Sequence, residues 1–562
     1  MKSNYLTGYR LPVIAMLLLF SKVMIAQTSR YDLRDPSQLS AVLDTVIQKR
    51  MERYHIPGFS IAIVKDGELH WSKGYGFGDL ENNIPVEADK TIFRIGSITK
   101  IFTATAIMQL VDEGKIKLHD DINKYLDNKI IYKKELPVTL HHLLSHSEGF
   151  REISGRRAGS AGQILPLEVF LKERLIQDHY AGEIASYGTY GIALTGQLLE
   201  KLSGMPYRDY LQKKIFDPLE MKHSNATDIV EANKKYFATG YGYSGDKYRK
   251  MGFEYYQTFP ASDINSTVND MANFMIMHLN NGRFKQSTLL DAKTAAGMRT
   301  TQFRNHPNIV GFGYGFWEST INGTKAVYHG GVMDGYASIM YLWPQKNMGL
   351  FMVCNREATN FLSSILNNIL YYFFPDPLSQ PHEKVQDPSL RSGLERFAGK
   401  YQRMDGPLLE IKLNADSTIS FFGGRWQQIK PLLFQLTNGV LDTGEDMIAF
   451  KENENGTIAW MTTGPFVYFK LENSPPEKVS VSFKKKELQK FTGSYVVNNS
   501  TSFTITRFGQ KLSVSVNNGN SSELVATSKT SFYSPENNAT IRFVGNDTEI
   551  ELNGTVLKCT KK

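Results

Sequence analysis

Phe397-Ala398-Gly399-Lys400-Tyr401 returns as Phe491-Thr492-Gly493-Ser494-Tyr495, an offset of 94 residues, and Leu409-Glu410-Ile411 meets Phe503-Thr504-Ile505 at the same offset. Met447-Ile448-Ala449-Phe450 and Thr540-Ile541-Arg542-Phe543 continue the match. A repeat of this kind makes each copy a structural unit of its own. Both copies alternate short strand patterns rich in Thr, Ser, Asn and aromatic residues. That predicts two small all-β, barrel-like modules at residues 391–473 and 484–562, closed or nearly closed to protect their edges. Pro475-Pro476 separates them. A linker at 376–390 follows Phe374-Pro375-Asp376-Pro377, where proline removes backbone donors and stops regular structure.

With 562 residues the chain exceeds one core, and residues 30–375 read as a single large α/β unit ahead of the repeat. Gly58–Val64, the Asp66-Gly67 turn signal and Glu68–Ser72 predict a β-hairpin. Helical patterns fill much of 97–230, including Ala193–Leu202 and Tyr207–Ile215. Strand patterns return at Lys325–Tyr328, Ala337–Trp343 and Gly349–Cys354. The expected fold is an antiparallel sheet assembled from both ends of the segment and flanked by helices from its middle.

Residues 1–26 join Lys2 and Arg10 to the apolar run Leu11–Phe20 and end on Ala26, the layout of a secretory signal peptide. The run is shorter than the roughly 20 residues that span a bilayer. The expectation is an exported protein, periplasmic or secreted from a bacterium, with no integral membrane segment after removal of the leader. Net charge is +8, three of the cations lying in the leader, too mild and too dispersed for nucleic acid. The two cysteines, Cys354 and Cys559, permit one disulfide but no framework, and Cys354 at the end of Met348–Val353 reads as a buried small hydrophobe. Thiols and histidines show no ligand spacing, and His141-His142 point to different sides of a helix, so neither a metal nor a cofactor is expected.

The chemistry begins at Gly96-Ser97-Ile98-Thr99-Lys100. Residues three apart share a helix face, which sets the Lys100 amine beside the Ser97 hydroxyl. Ser-x-x-Lys also occurs at Ser244–Lys247 and Ser482–Lys485, in polar stretches. Around Ser97, by contrast, lie the apolar approach Thr91–Ile95 and the apolar helix pattern Ile101–Val111. Desolvation in such a helix disfavours the ammonium and makes a neutral amine available as a base. Two further segments supply polar groups. Ala185-Ser186-Tyr187-Gly188-Thr189 carries a tyrosine on a glycine-bearing loop before a helix. Val327-Tyr328-His329-Gly330-Gly331-Val332 places two glycines at a strand end, where missing side chains let a substrate pair with the backbone.

Together these segments resemble the serine β-lactamase and penicillin-binding-protein superfamily, in particular its class C-like branch of esterases and D-aminopeptidases. The resemblance spans about residues 35–370 and extends to Gly74–Glu81, Leu143–Phe150 and Ser266–Ala272. It implies Ser97 as nucleophile, Lys100 as its base or proton shuttle, and Tyr187 as a second proton carrier. It also implies an oxyanion hole from the backbone N–H groups of Ser97 and Val332, with Thr189, His329, Gly330 and Gly331 binding substrate. Two departures stand out: Tyr187-Gly188-Thr189 replaces the family's Tyr-x-Asn, and His329 stands where carboxylate-gripping lactamases carry lysine. The β modules resemble the lipocalin-like barrels of D-stereospecific aminopeptidases, in which a barrel loop shapes the pocket; with no acid, base or metal cluster of their own, they read as accessory. The implied activity is acyl transfer to water from small esters, D-amino-acid peptides or amides, peptidoglycan-type peptides, or β-lactams as a slow side reaction. The alternatives are a penicillin-binding sensor that acylates without hydrolysing, and a cell-envelope binding protein.

Overall fold

The computed structural model describes residues 35–561 apart from 153–155, 227–230, 322, 374–389, 391–392, 404–407, 438–445, 472–482, 484, 499–500, 509–510, 517–520, 527–529, 535–538, 545–546 and 553–554. The leader, Ser482 and all but the last residue of the linker at 376–390 lie outside the described residues.

Helix α1 (Pro36–Arg53) starts where the Asp35 carboxylate accepts the Ser37 N–H at 2.9 Å and Pro36 takes the first helical position. The hairpin of β1 (Gly58–Lys65) and β2 (Glu68–Asp79) follows as the sequence predicts. Helices α2 (Thr99–Asp112), α3 (Tyr190–Ser203) and α4 (Val268–Leu279) come from the middle of the segment. Then β3 (Trp317–Ile321), β4 (Thr324–Met333), β5 (Tyr336–Trp343), β6 (Met348–Cys354) and α5 (Thr359–Phe373) complete the unit.

The sheet runs β3-β4-β5-β6-β1-β2 and ends on the short Ile84–Pro85 strand, every neighbour antiparallel. Pairing of Phe59 with Cys354 through Lys65 with Met348 joins the two ends of the segment. On β1 the period of two divides the side chains between two cores. Phe59, Ile61 and Ile63 pack with Leu43 and Ile47 of α1 and Phe361 and Ile365 of α5. Ala62 and Val64 face the larger core that holds Phe102 of α2 and Phe274 of α4, whose rings stack at 3.7 Å. A sheet with both faces covered explains why β1 reads as an unbroken apolar run.

Each repeat copy is a closed eight-stranded barrel. The first runs from Gly399–Arg403 to Phe466–Lys470 and closes by pairing Tyr401 with Lys470; the second runs from Gly493–Asn498 to Thr555–Lys561 and closes by pairing Tyr495 with Lys561. The shared Phe-x-Gly-x-Tyr motif is the closure device. Tyr401 donates its hydroxyl to the Phe397 carbonyl at 2.8 Å, and Tyr495 does the same to Phe491 at 2.8 Å. Gly399 and Gly493 have φ of +130° and +144°, and a side chain there would press on Lys470 and Lys561 across the seam. Phe397, Phe434 and Phe450 fill the first barrel's interior. Cys354 lies in the core of the α/β unit and Cys559 in that of the second barrel. Among the described residues no helix is long and apolar enough to cross a membrane.

Candidate active site

Ser97 sits on a 3₁₀ turn, Gly96–Ile98, that runs directly into α2, at the helix start that the spacing implies. Gly96 takes φ +55°, and a Cβ on it would come within 3.0 Å of the Val332 nitrogen. Only a glycine lets this turn lie so close against β4. The turn is fastened on two sides. The Ile95 N–H donates to Ile264 O at 3.1 Å, and the Ser338 hydroxyl of β5 donates to Ile95 O at 2.8 Å. Gly331 serves the same approach, since a Cβ there would meet Ile95 O at 2.1 Å. Pairing of β3 with β4 ends at Trp317–Tyr328, so His329–Met333 form an edge turned toward the Ser97 turn. Val332 is 44% exposed. The Ser97 and Val332 backbones are thereby neighbours, as an oxyanion hole requires.

Lys100 is 1% exposed, and its Nζ donates to Ser97 Oγ at 3.1 Å and to Ala261 O at 3.0 Å. Burial strips the ammonium of hydration, and the carbonyl fixes the amine so that it faces the serine hydroxyl. The Tyr187 ring lies 5.0 Å from Nζ. The fold thus brings together Ser97 and Lys100, which the spacing pairs, and Tyr187, which the family resemblance adds.

The tyrosine loop is held by residues whose part the sequence did not disclose. His146 has φ +54° and is buried; its Nδ1 accepts from the Gly188 N–H at 3.3 Å, while its carbonyl accepts from Ser186 N–H at 2.8 Å. Burial drives this imidazole well below its ordinary pKa, so it is neutral, and the bond from Gly188 assigns its proton to Nε2. Glu152 Oε1 accepts from the Thr189 and Tyr190 N–H groups and caps α3, whose own N-cap Thr189 makes no capping bond. The neighbouring Glu148 is buried, which raises its pKa well above the carboxylate range, with Glu152 adding to the shift. Gly191 admits it: a Cβ there would stand 2.2 Å from Glu148 Oε1. The available signal was the polar run Ser145–Glu148 directly after apolar Leu143-Leu144, all four residues of which are buried.

Thr189 accepts a hydrogen bond from Arg156 Nη1 at 2.8 Å through its hydroxyl. His329 is fully buried; burial first, then the Lys100 charge, pushes it down to about 3. Its ring stacks on Trp317 at 4.3 Å and lies 5.6 Å from Tyr187. Nδ1 sits 2.6 Å from Gly330 O, so the neutral ring carries its proton there and presents Nε2 as an acceptor.

The first barrel reaches into this assembly. Its Thr463-Gly464-Pro465-Phe466 turn brings Pro465 O to accept the Tyr187 N–H at 3.1 Å, and sets the Phe466 ring edge-on to Tyr187 at 6.1 Å. Asn305 bridges Ala185 and Thr462 nearby, and Ile309 and Val310 pack on Leu433 and Ala449. The barrel that carries no catalytic cluster of its own thus supports the tyrosine loop, which corrects its reading as merely accessory. An aromatic pair is worth about 0.5–1.5 kcal/mol. Phe466→Ala removes the edge-on ring from Tyr187 and an apolar side chain packed against the first barrel's core, so Tm is expected to fall by several degrees. Thermal denaturation checks this, and an unchanged Tm would show that the hairpin does not brace the tyrosine loop.

Residues 43–367 match the sequence model of the family described as Beta-lactamase. Protein flp of Staphylococcus aureus (strain MRSA252) is 26% identical over 325 residues, which cover 56% of this chain and 63% of that protein, so the match spans less than two thirds of the relative's length. Beta-lactamase-like protein 2 of Dictyostelium discoideum is 26% identical over 417 residues, covering 68% of this chain and 74% of that protein. Among solved structures, an octameric penicillin-binding protein homologue from Pyrococcus abyssi superposes with a TM-score of 0.54 at 22% identity, over 92% of this chain and 99% of that one. The structure titled SurE superposes with a TM-score of 0.57 at 18% identity, over 77% and 98%. Identities this low attest to a shared fold.

Proposed function

Because this chain belongs to the β-lactamase family, we propose that it is an exported serine hydrolase that forms an acyl-enzyme at Ser97 and releases it to water. The observation that carries the reading is the buried Lys100 amine 3.1 Å from Ser97 Oγ. In the neutral state this amine takes the serine proton as Oγ attacks the substrate carbonyl. The Ser97 and Val332 N–H groups hold the oxyanion as it forms. The proton then passes to the leaving group, through Lys100 or Tyr187, and the carbon–heteroatom bond breaks. Water then attacks the acyl carbonyl and gives one proton to the amine; the acyl–Oγ bond breaks, the acid product leaves, and that proton passes to Ser97 Oγ. The leader at 1–26 supports export.

Small esters and D-amino-acid peptides are the favoured substrates, ahead of β-lactams. Thr189 offers a hydroxyl already engaged by Arg156 where the family carries an amide, and the buried neutral His329 cannot act as a fixed cation. Loss of a hydrogen bond to a charged group lowers a rate by roughly one to two decades when it is made in the transition state. A panel of p-nitrophenyl esters, D-alanyl peptides and a chromogenic cephalosporin should therefore show multiple turnovers on esters or peptides, and cephalosporin kcat/KM lower by about tenfold or more. A single stoichiometric burst would identify a penicillin-binding sensor, and silence on all three classes a binding protein.

A further inference from the structure

Away from Ser97, three segments enclose a cavity of about 500 Å³. One wall is residues 126–133, the second is the short Leu167–Leu171 helix with the chain that follows it to Gln177, and the third is Leu194 and Gln197 of α3. Hydrogen bonds hold these walls in place. The Asn123 amide accepts the Ile130 N–H at 2.9 Å and donates to the Ile130 carbonyl at 2.9 Å. Asn128 Nδ2 donates to Glu168 Oε1 at 2.7 Å, and the Lys133 N–H donates to Gln177 Oε1 at 2.8 Å, which ties the first wall to the second. Gln177 Nε2 in turn donates to Glu148 O at 2.7 Å.

The lining is aliphatic within and basic at the rim. Leu126, Ile130, Leu171 and Leu194 are buried beneath the cavity, whereas Ile131 is 92% exposed and Ile176 46% exposed. A single exposed aliphatic residue is ordinary; two on different walls of one cavity, above a buried aliphatic base, make an apolar surface that awaits a cover. Lys129, Lys133 and Lys172 line the same cavity against one acid, Glu168, which leaves the lining a surplus of two positive charges. The Lys129 ammonium donates to the Asn123 and Leu126 carbonyls, and that of Lys133 to the Asp178 carbonyl. Carbonyls satisfy some of the donors without cancelling the charge. Among the described residues these three lysines form no ion pair with a carboxylate.

A cavity of this size suits a small molecule. Its aliphatic base favours a flexible alkyl chain, and its lysines favour a negative head that stays hydrated at the rim. The lining contains no residue of the Ser97 site. We propose that this cavity is a second binding site, which takes a single-chain anionic amphiphile of the fatty-carboxylate type. The chain lies over Leu126, Ile130 and Leu171, under Ile131 and Ile176, and the carboxylate lies among Lys129, Lys133 and Lys172.

Sodium dodecanoate below its micelle concentration is the probe, titrated by calorimetry into the whole protein. One molecule should bind per chain. Dodecyltrimethylammonium, which has the chain under a positive head, and acetate, which has the head without the chain, should bind about tenfold more weakly or worse. Ile131→Gln/Ile176→Gln should weaken dodecanoate by about tenfold or more, because the apolar cover of the chain is lost. Lys129→Gln/Lys133→Gln/Lys172→Gln should weaken it by about threefold to tenfold and erase the preference over the cationic amphiphile. All five side chains are exposed, so both variants should keep the Tm of the unmutated protein. Dodecanoate bound by either variant as tightly as by the unmutated protein would place it elsewhere and overturn the proposal, as would equal binding of the two amphiphiles. No binding of monomeric dodecanoate would overturn it too; pelleting with phosphatidylglycerol vesicles, or dimerisation in sedimentation velocity, would then make the patch a membrane surface or an interface between copies.

Discussion

Lys100→Met should lower ester kcat by about 10²–10⁴-fold, the range that a positioned general base contributes. The side chain is 1% exposed, so methionine fits an apolar site of similar length. It leaves Ala261 O without its donor, at a cost of about 1–3 kcal/mol, and removes the amine from Ser97 Oγ. A stability loss of that size is visible in Tm but does not unfold the domain, so the rate and the fold can be read separately. Lys100→Arg should be nearly as inactive, because a guanidinium does not lose its proton. The sign of the pH dependence follows: turnover falls as pH drops and the Lys100–Tyr187 pair takes up a proton, and the limb belongs to the pair. His329, pushed down to about 3, and His146, also far below its usual range, are already neutral and contribute no limb near neutrality. Asp263, raised to about 6 by burial beside Arg94, titrates in that window, so Asp263→Asn is the control and should leave the limb where it is. Near-normal turnover in Lys100→Arg would contradict the role given to the lysine.

Ser97→Ala carries the largest expected loss, about 10⁴-fold or more in ester turnover, since without a nucleophile only the oxyanion donors and binding remain. The variant should fold. Ser97 makes no side-chain cap on the 3₁₀ turn or on α2, and the backbone N–H proposed to hold the oxyanion is unchanged. Lys100 keeps its bond to Ala261 O. Equal Tm with abolished turnover is the expected pair of results; retained turnover would place the nucleophile elsewhere.

Much of this site was legible because its parts are local. A serine and a lysine three apart between apolar flanks announce themselves within a few residues, whereas the tyrosine before a helix and the two glycines at a strand end take their meaning from the family resemblance. The 94-residue offset likewise disclosed the barrels, since Phe397-x-Gly-x-Tyr401 and its copy perform one closure twice. What remained hidden depends on contacts between distant segments. Glu152 and Arg156 lie in an irregular stretch with no periodicity, and their importance comes only from the α3 terminus folding onto them. Pro465 acts through a carbonyl, which any residue carries, so no side-chain pattern could mark it. Ser97 lies at the helix start that the spacing implies, on a 3₁₀ turn that runs directly into α2; spacing cannot distinguish the two helix types, and Gly96 with its positive φ was the local clue.

The central claim is a covalent acyl group on Ser97 that water removes. Mixing the enzyme with p-nitrophenyl acetate, quenching in acid at short times and mapping the peptides by mass spectrometry measures it directly. The expected result is at most one acetyl group per chain, located on Ser97, rising with the first release of p-nitrophenol and falling as substrate runs out, and absent from Ser97→Ala. Acetyl found on another residue, or turnover that proceeds with Ser97 never labelled, would contradict the account.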